Sequence, residues 1–147
     1  MERKEDLRKW KQAELEFMDL LSQSKKVATI EWPQWNFPDY DIKTKLHGWT
    51  EYTYEVKRDG IYPTSRRVGI EYERKWCPSG ILTSKADFYV YKLGEDFYFA
   101  RKGSLLELLM LSTTKRFCQW WDDGTVKLRI IPEEEFYKVA TKYEKKN

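Results

Sequence analysis

Two acidic residues and an acid–lysine pair stand close together in the first half of the chain. Asp39 and Asp41 lie two positions apart, as do Glu55 and Lys57. Because residues two apart in a strand point to the same face, a hairpin of these segments would bring the acids and Lys57 together. Two carboxylates can hold a divalent cation, and the backbone carbonyl of Val56 adds a further oxygen. This set suits phosphodiester hydrolysis, in which a metal polarises the phosphate and a lysine stabilises developing negative charge.

The scarcity of histidine and cysteine restricts the choice of metal. His47 is the only histidine, and Cys77 and Cys118 show no CxxC spacing. Zinc sites and Ser–His–Asp chemistry are therefore disfavoured. Carboxylate and backbone oxygens favour hard cations, so we expect Mg²⁺ or Mn²⁺. His47 precedes Gly48 and is expected in a turn.

A further carboxylate falls within the apolar stripe of the first predicted helix. Glu14 lies four residues after Trp10 and three before Phe17, which both belong to that stripe. A carboxylate aimed into a core is costly unless something compensates it, and a metal-bound water or Lys57 can do so. Glu14 is therefore a candidate for a site under the helix, although a small helix rotation would move it to the rim.

The remaining pattern predicts one mixed α/β domain over residues 1–147. Apolar residues at three- and four-residue steps predict a first helix at 5–22, and β-forming residues predict strands. The strands are expected at 26–32, 39–46, 50–58, 67–74, 87–92, 96–101 and 125–131, with a loop at 77–80. The second and third strands, and the fifth and sixth, are expected to form hairpins. Ser104 is the expected N-cap of a second helix, and Pro132 opens a short third one with glutamates first and lysines last.

The composition indicates a soluble protein. Hydrophobic residues make up 41% of the chain and charged residues 35%, and no stretch approaches the roughly 18 apolar residues of a membrane helix. The charged N-terminus lacks the apolar core of a signal peptide. We therefore expect a cytoplasmic protein, in the cytoplasm of the host cell if it is viral. The net charge of +3 is compatible with a polyanionic partner and does not establish one.

Two motifs resemble the signature of the PD-(D/E)xK nucleases. They are PDYDI at 38–42 and YEVK at 54–57, at a spacing within the family's range. The stretch GIEYERKWCPSGILTSKADFYVY at 69–91 is similar to small phage and archaeal members related to Holliday-junction resolvases. The resemblance spans most of the chain. It implies a restriction-endonuclease-like mixed β-sheet flanked by helices, with the N-terminal helix first.

The resemblance also implies roles for individual residues. Resolvase-like members carry an acid near the metal on their first helix, which Glu14 matches. Their metal ligand stands in a YDI context, which favours Asp41 and leaves Asp39 as the second candidate. Lys85 matches a family position that faces the site. Apart from the resemblance, Glu71 shares a strand face with Glu73 and can extend the metal site, although exposed strand glutamates are ordinary.

Pairs of basic residues supply candidate contacts to DNA. Arg66–Arg67 and Arg74–Lys75 can meet phosphates, although each pair alone is ordinary solubilising surface. The expected activity is that of a Mg²⁺-dependent DNA endonuclease, and a junction resolvase would have to be a homodimer to make two coordinated cuts. The alternative is a non-catalytic nucleic-acid-binding module on the same scaffold. Closely placed carboxylates repel phosphate and so favour catalysis, while DNA versus RNA stays open.

Overall fold

The first helix presents one apolar stripe to the rest of the molecule. The structure, a computed structural model, describes residues 2–33, 40–58, 66–111, 117–118 and 126–144. Helix α1 runs over Glu2–Ser22. Ala13, Phe17 and Leu21 recur every four residues and are buried, as one face of an α-helix requires. The predicted first helix is confirmed, and it begins three residues earlier than the apolar pattern indicates.

Six strands form the larger sheet, in the order β1-β2-β3-β6-β7-β10. Their bounds are β1 Val27–Glu31, β2 Ile42–Leu46, β3 Glu51–Arg58, β6 Phe88–Leu93, β7 Asp96–Arg101 and β10 Thr141–Lys142. Strands β3 and β6 are parallel, whereas the other described neighbours in this sheet are antiparallel. Both predicted hairpins, β2–β3 and β6–β7, are confirmed.

A smaller antiparallel sheet has the order β5-β4-β9-β8. Its strands are β4 Arg67–Arg74, β5 Cys77–Pro78, β8 Phe117–Cys118 and β9 Val126–Pro132. The predicted loop at 77–80 is wrong in part, because β5 pairs with the end of β4 in a tight hairpin. A 3₁₀ helix at Gly80–Leu82 follows it.

Two further helices differ in detail from the prediction. Helix α2, Lys102–Leu111, follows β7 without a loop, so Ser104 lies inside the helix and the predicted N-cap is wrong. Helix α3, Glu133–Phe136, is a single turn that carries the three predicted glutamates. It ends before the lysines expected in its last turn.

The larger sheet packs an apolar cluster on each face. Val56 and Val90 are buried with the stripe of α1, and the alternate residues Tyr89 and Tyr91 are buried with the smaller sheet, α2 and α3. The mixed α/β fold with its helix first is confirmed. Helices flank the sheet on both faces, α1 on one and α2 and α3 on the other, where a second sheet packs beside them. No helix in the described part of the chain is long and apolar enough to cross a membrane.

Candidate active site

The Asp41 carboxylate lies at the edge of strand β3. Strand β2 begins at Ile42, opposite Tyr54, so its pairing with β3 ends there. The Asp41 N–H donates to the Tyr54 carbonyl at 2.9 Å, and the Val56 N–H donates to Asp41 Oδ2 at 2.8 Å. The Asp41 carboxylate therefore accepts the hydrogen bond that a further residue of β2 would accept from the Val56 N–H. Since the N–H and C=O of one residue in a strand point to the same side, the Val56 carbonyl faces the edge where Asp41 lies.

Glu55 and Lys57 project from the face of β3 that looks away from α1. Lys57 Nζ lies 3.5 Å from Glu55 Oε1, and the two side chains are only 27% and 15% exposed. Both residues act on the Asp41 carboxylate, Lys57 through its charge and Glu55 through a side-chain hydrogen bond. The structure thus brings together the acid–acid–lysine set that the sequence singles out.

Glu14 reaches this set from the opposite side of the sheet. Its helix packs on the apolar face that carries Val56, whereas Glu55 and Lys57 project from the other face. The Glu14 side chain nevertheless interacts with the Asp41 carboxylate. Trp32, just after β1, donates from Nε1 to Glu14 Oε2 at 3.0 Å and orients the carboxyl group. Trp32 is a site residue that the sequence pattern did not indicate, because it lies 18 residues from Glu14.

Burial raises the affinity of all three carboxyl groups for protons. Burial raises the pKa of Glu55 to about 7, and the charges of Asp41 and Glu14 add to the rise while Lys57 opposes it. Burial also raises the pKa of Asp41, against the hydrogen bond from Val56 and the charge of Lys57. Burial again is the main reason that the pKa of Glu14 is raised. Near neutral pH Glu55 is therefore partly protonated, and an incoming cation would displace that proton.

Tyr89 places a buried hydroxyl beside the carboxylates. It pairs with Glu55 across the parallel strands β3 and β6, and it is 1% exposed. Its pKa is raised by burial and by the charges of Glu55 and Glu71. No atom among the described residues makes a hydrogen bond with this hydroxyl. Only the register of the parallel pair reveals this neighbour of Glu55, so sequence reasoning missed it.

Glu71 is held near the site by the segment that follows β5. Ser79 Oγ donates to Glu71 Oε2 at 2.8 Å, and Arg74 Nη2 donates to Oε1 at 3.3 Å. A Cβ on Gly80 would stand 2.2 Å from the Glu71 carbonyl oxygen, and the φ of Gly80 is +55°. The Pro-Ser-Gly segment is therefore shaped to pack on Glu71, whose charge reaches Tyr89.

The other candidate residues that the structure describes are spread over the surface. Lys85 is exposed in the segment before β6, and Asp39 lies outside the described residues. Arg66 pairs with Glu133 at 3.4 Å, and Arg67 is exposed at the start of β4. Arg74 and Lys75 lie at the other end of the same strand, roughly 20 Å away at about 3.3 Å per residue. The four basic residues therefore do not form one patch.

The donor set suits a hard cation with few protein ligands. Two carboxylates, Asp41 and Glu55, and the carbonyl of Val56 are oxygen donors of the kind that Mg²⁺ takes. Within the described ranges, no group of three or more histidine, cysteine, aspartate or glutamate side chains is already arranged around a metal position. A cation held here by Asp41, Glu55 and the Val56 carbonyl would keep several waters. No family model, curated protein or solved structure matches this chain.

Proposed function

We propose that the chain is a metal-dependent nuclease of the PD-(D/E)xK type that hydrolyses phosphodiester bonds in DNA, on a restriction-endonuclease-like fold. The observation that carries this proposal is the convergence of Asp41, Glu55 and Lys57 at the edge of β3. Asp41 is fixed by the Val56 N–H, and Lys57 lies 3.5 Å from Glu55. Resemblance to the family signature supports the same three residues.

Asp41, Glu55 and the Val56 carbonyl would hold Mg²⁺ or Mn²⁺. When bound, the cation supplies positive charge against the scissile phosphate and lowers the pKa of a water. The described residues offer few further ligands, which agrees with the reluctance of Mg²⁺ to give up its waters.

The side chains around this position have distinct tasks. Lys57 supplies an ammonium group that can orient a water and stabilise the negative charge that develops on the phosphate. Glu14, held by Trp32 at 3.0 Å, keeps negative charge next to Asp41 and so favours a cation there. Burial of Glu55 lets its charge act at low effective dielectric once it is ionised.

The electrostatic repulsion between the carboxylate cluster and a phosphate backbone favours catalysis over simple binding. Burial raises the pKa of all three acids, and their negative charges would repel a phosphate backbone. A protein that only binds nucleic acid gains nothing from them. A bound cation reverses their effect, since it neutralises the acids and attracts the phosphate.

The direct test is to incubate the protein with labelled four-way-junction, duplex and single-stranded DNA, in Mg²⁺, Mn²⁺ or EDTA. We expect cutting that needs the metal. Lys57→Ala and Glu55→Gln should each lower the rate about 100-fold or more, since each removes charge at the reacting phosphate. The DNA that is cut fastest identifies the substrate class.

Matched controls come from the far edge of the same sheet. Asp96 and Lys142 form an exposed pair 3.7 Å apart on β7 and β10. Asp96→Asn and Lys142→Ala make the corresponding changes of charge and should leave the rate unchanged. Tight, salt-sensitive DNA binding without cutting, equal in all four variants, would contradict catalysis and favour the binding module.

A further inference from the structure

The hairpin that joins β4 to β5 ends in an unusual two-residue turn. Arg74 pairs with Cys77, which leaves Lys75 and Trp76 as the central residues, with φ of +50° and +68°. Two positive φ values define a type I′ turn, for which Asn-Gly is the preferred sequence because other residues are strained there. Lys75 and Trp76 are therefore held in a costly conformation, which tends to mark a functional position.

The turn displays a large aromatic surface to solvent. Trp76 is 72% exposed, and the ammonium group of Lys127 lies 5.6 Å from the centre of its ring. Exposed indole surface is unfavourable in water. A planar ligand that stacks on the ring would remove that surface from water.

The charges around Trp76 favour an anionic partner. Lys127 pairs with Glu73 at 2.9 Å and Arg74 pairs with Glu71 at 3.3 Å, so both nearby acids face a cation. Lys75 adds a third positive charge at the tip itself and is exposed. A planar group linked to negative charge, such as a nucleotide, matches both features.

The base of this hairpin adjoins the candidate active site. Glu71 lies three residues before Arg74 on β4, and its charge acts on Tyr89, the cross-strand neighbour of Glu55. Three residues of extended chain span about 10 Å, and three stacked nucleotides cover the same length. A single strand that passes Glu71, beside the candidate active site, can therefore reach the tip of the hairpin.

We propose that Trp76 stacks on an unpaired base of the DNA substrate while Lys75 contacts a neighbouring phosphate. The inference rests on the proposed function, which names DNA as the partner, and it adds the class of DNA that is preferred. A base inside a continuous duplex has both faces covered, whereas single strands and branch points offer an open one. The preferred substrate is accordingly DNA with unpaired bases close to the cut.

The test measures binding in EDTA, so that it does not depend on cutting. Fluorescence anisotropy of a labelled single strand should show affinity weaker by about 10-fold or more for Trp76→Ala, while Trp76→Phe keeps most of the affinity. Lys75→Ala should reduce the slope of log affinity against log salt by about 0.7, the loss of one phosphate contact. The affinity for a relaxed closed-circular plasmid, obtained as its inhibition constant in competition with the labelled strand, should be the same for Trp76→Ala and the unchanged protein.

Trp49 provides the matched control for an exposed tryptophan. It is 81% exposed in the β2–β3 turn, has a φ of +71°, and its ring centre lies 4.4 Å from the ammonium group of Lys45. Extended backbone of roughly 20 Å separates Trp49 from Glu55. Trp49→Ala should bind the single strand like the unchanged protein.

The outcomes separate this inference from the proposed function. Unchanged single-strand affinity in Trp76→Ala would overturn the inference even if metal-dependent cutting is found. Loss of binding in Trp76→Ala would support it even if no cutting is found. A variant that binds DNA normally but self-associates less in sedimentation would also overturn it, because Trp76 would then contact a second protein chain.

Discussion

At the residue scale, the pKa of Glu55 is set by burial and neighbouring acids, which raise it, and by Lys57, which lowers it. Its neighbours include two acids, Asp41 and Glu14, and one cation, Lys57, and the net effect raises its pKa to about 7. A lone lysine at 3.5 Å does not overcome desolvation plus two like charges. The folded chain without metal therefore holds more protons at this cluster than the unfolded chain does.

This excess of protons makes the stability of the metal-free protein fall as the pH rises. The folded pKa of Glu55 lies above its ordinary value of 4.5, so its contribution is complete below that value and is lost as the pH passes about 7. The pKa values of Asp41 and Glu14 shift in the same direction. Urea denaturation in EDTA between about pH 5 and 8 should show a decline of up to about 1.4 kcal/mol per pH unit for each excess proton.

Glu55→Gln should flatten that decline, whereas Asp96→Asn should not. Mg²⁺ should stabilise the protein more at about pH 8 than at about pH 6, because the cation competes with protons for the same oxygens. A stability profile that is level over this range and identical in Glu55→Gln would show that the carboxyl group is not buried as described.

Removing the Tyr89 hydroxyl is expected to preserve or increase the stability of the protein. Its hydroxyl is buried and makes no hydrogen bond with the described residues. An unsatisfied buried hydroxyl costs about 1–3 kcal/mol, so Tyr89→Phe should leave the free energy of unfolding equal or raise it by about 1 kcal/mol. The ring, whose centre lies 6.3 Å from that of Tyr91, is retained.

Tyr54→Phe is the control for this change. The Tyr54 hydroxyl accepts a hydrogen bond at 3.3 Å from Thr44, a fully buried residue. The loss should cost about 1 kcal/mol because it leaves the Thr44 hydroxyl without this partner. Equal losses in both variants, measured by urea denaturation, would mean that Tyr89 has a partner after all.

At the element scale, the 3₁₀ turn after β5 depends on one glycine. A Cβ on Gly80 would meet the backbone oxygen of Glu71 at 2.2 Å, and neither backbone can move without disturbing β4. Strain from the positive φ adds about 1 kcal/mol or more. Gly80→Ala should therefore destabilise the protein by about 3 kcal/mol and shift Glu71.

Gly94→Ala separates crowding from backbone strain. Gly94, in the β6–β7 turn, has a φ of +67°, but a Cβ added there would meet nothing within 4 Å. Thermal or urea denaturation should show a cost of only about 1 kcal/mol for this change. If the two alanine variants lose equal stability, the close packing of the segment on Glu71 is wrong.

The elements that the sequence predicted correctly are those whose pattern is local. Alternation in 50–58 and the turn at His47–Gly48 were sufficient for the β2–β3 hairpin, and hence for bringing Asp41 to Glu55. The two-residue strands β5, β8 and β10 have no such pattern, because a two-residue segment is too short to show alternation. Trp32 and Tyr89 were missed for a related reason, since only tertiary pairing brings them to Glu14 and Glu55.

At the scale of the whole molecule, the crossover from β3 to β6 decides how the site is exposed. The apolar cluster beneath the smaller sheet takes its buried residues of the larger sheet from β6 and β7. The outer face of β2 and β3 is not part of it, and the side chains of Lys43 and Glu51 on that face are 29% and 49% exposed. A nucleic-acid strand could therefore approach Asp41 and Glu55 from this uncovered face.

A junction-resolving activity makes a prediction about the assembly. The chain contains one Asp41–Glu55–Lys57 set, and resolving a four-way junction needs two coordinated cuts, so the active species should be a homodimer. Sedimentation should then show a dimer, and a cruciform plasmid should become linear without an accumulated nicked circle. Mixing in an excess of Glu55→Gln chains should form mixed dimers that nick one strand only, so that nicked circles replace linear product. A monomer that nicks the plasmid regardless of mixing would remove the junction-resolving activity while leaving the nuclease intact, because a single site is sufficient to cut a single strand.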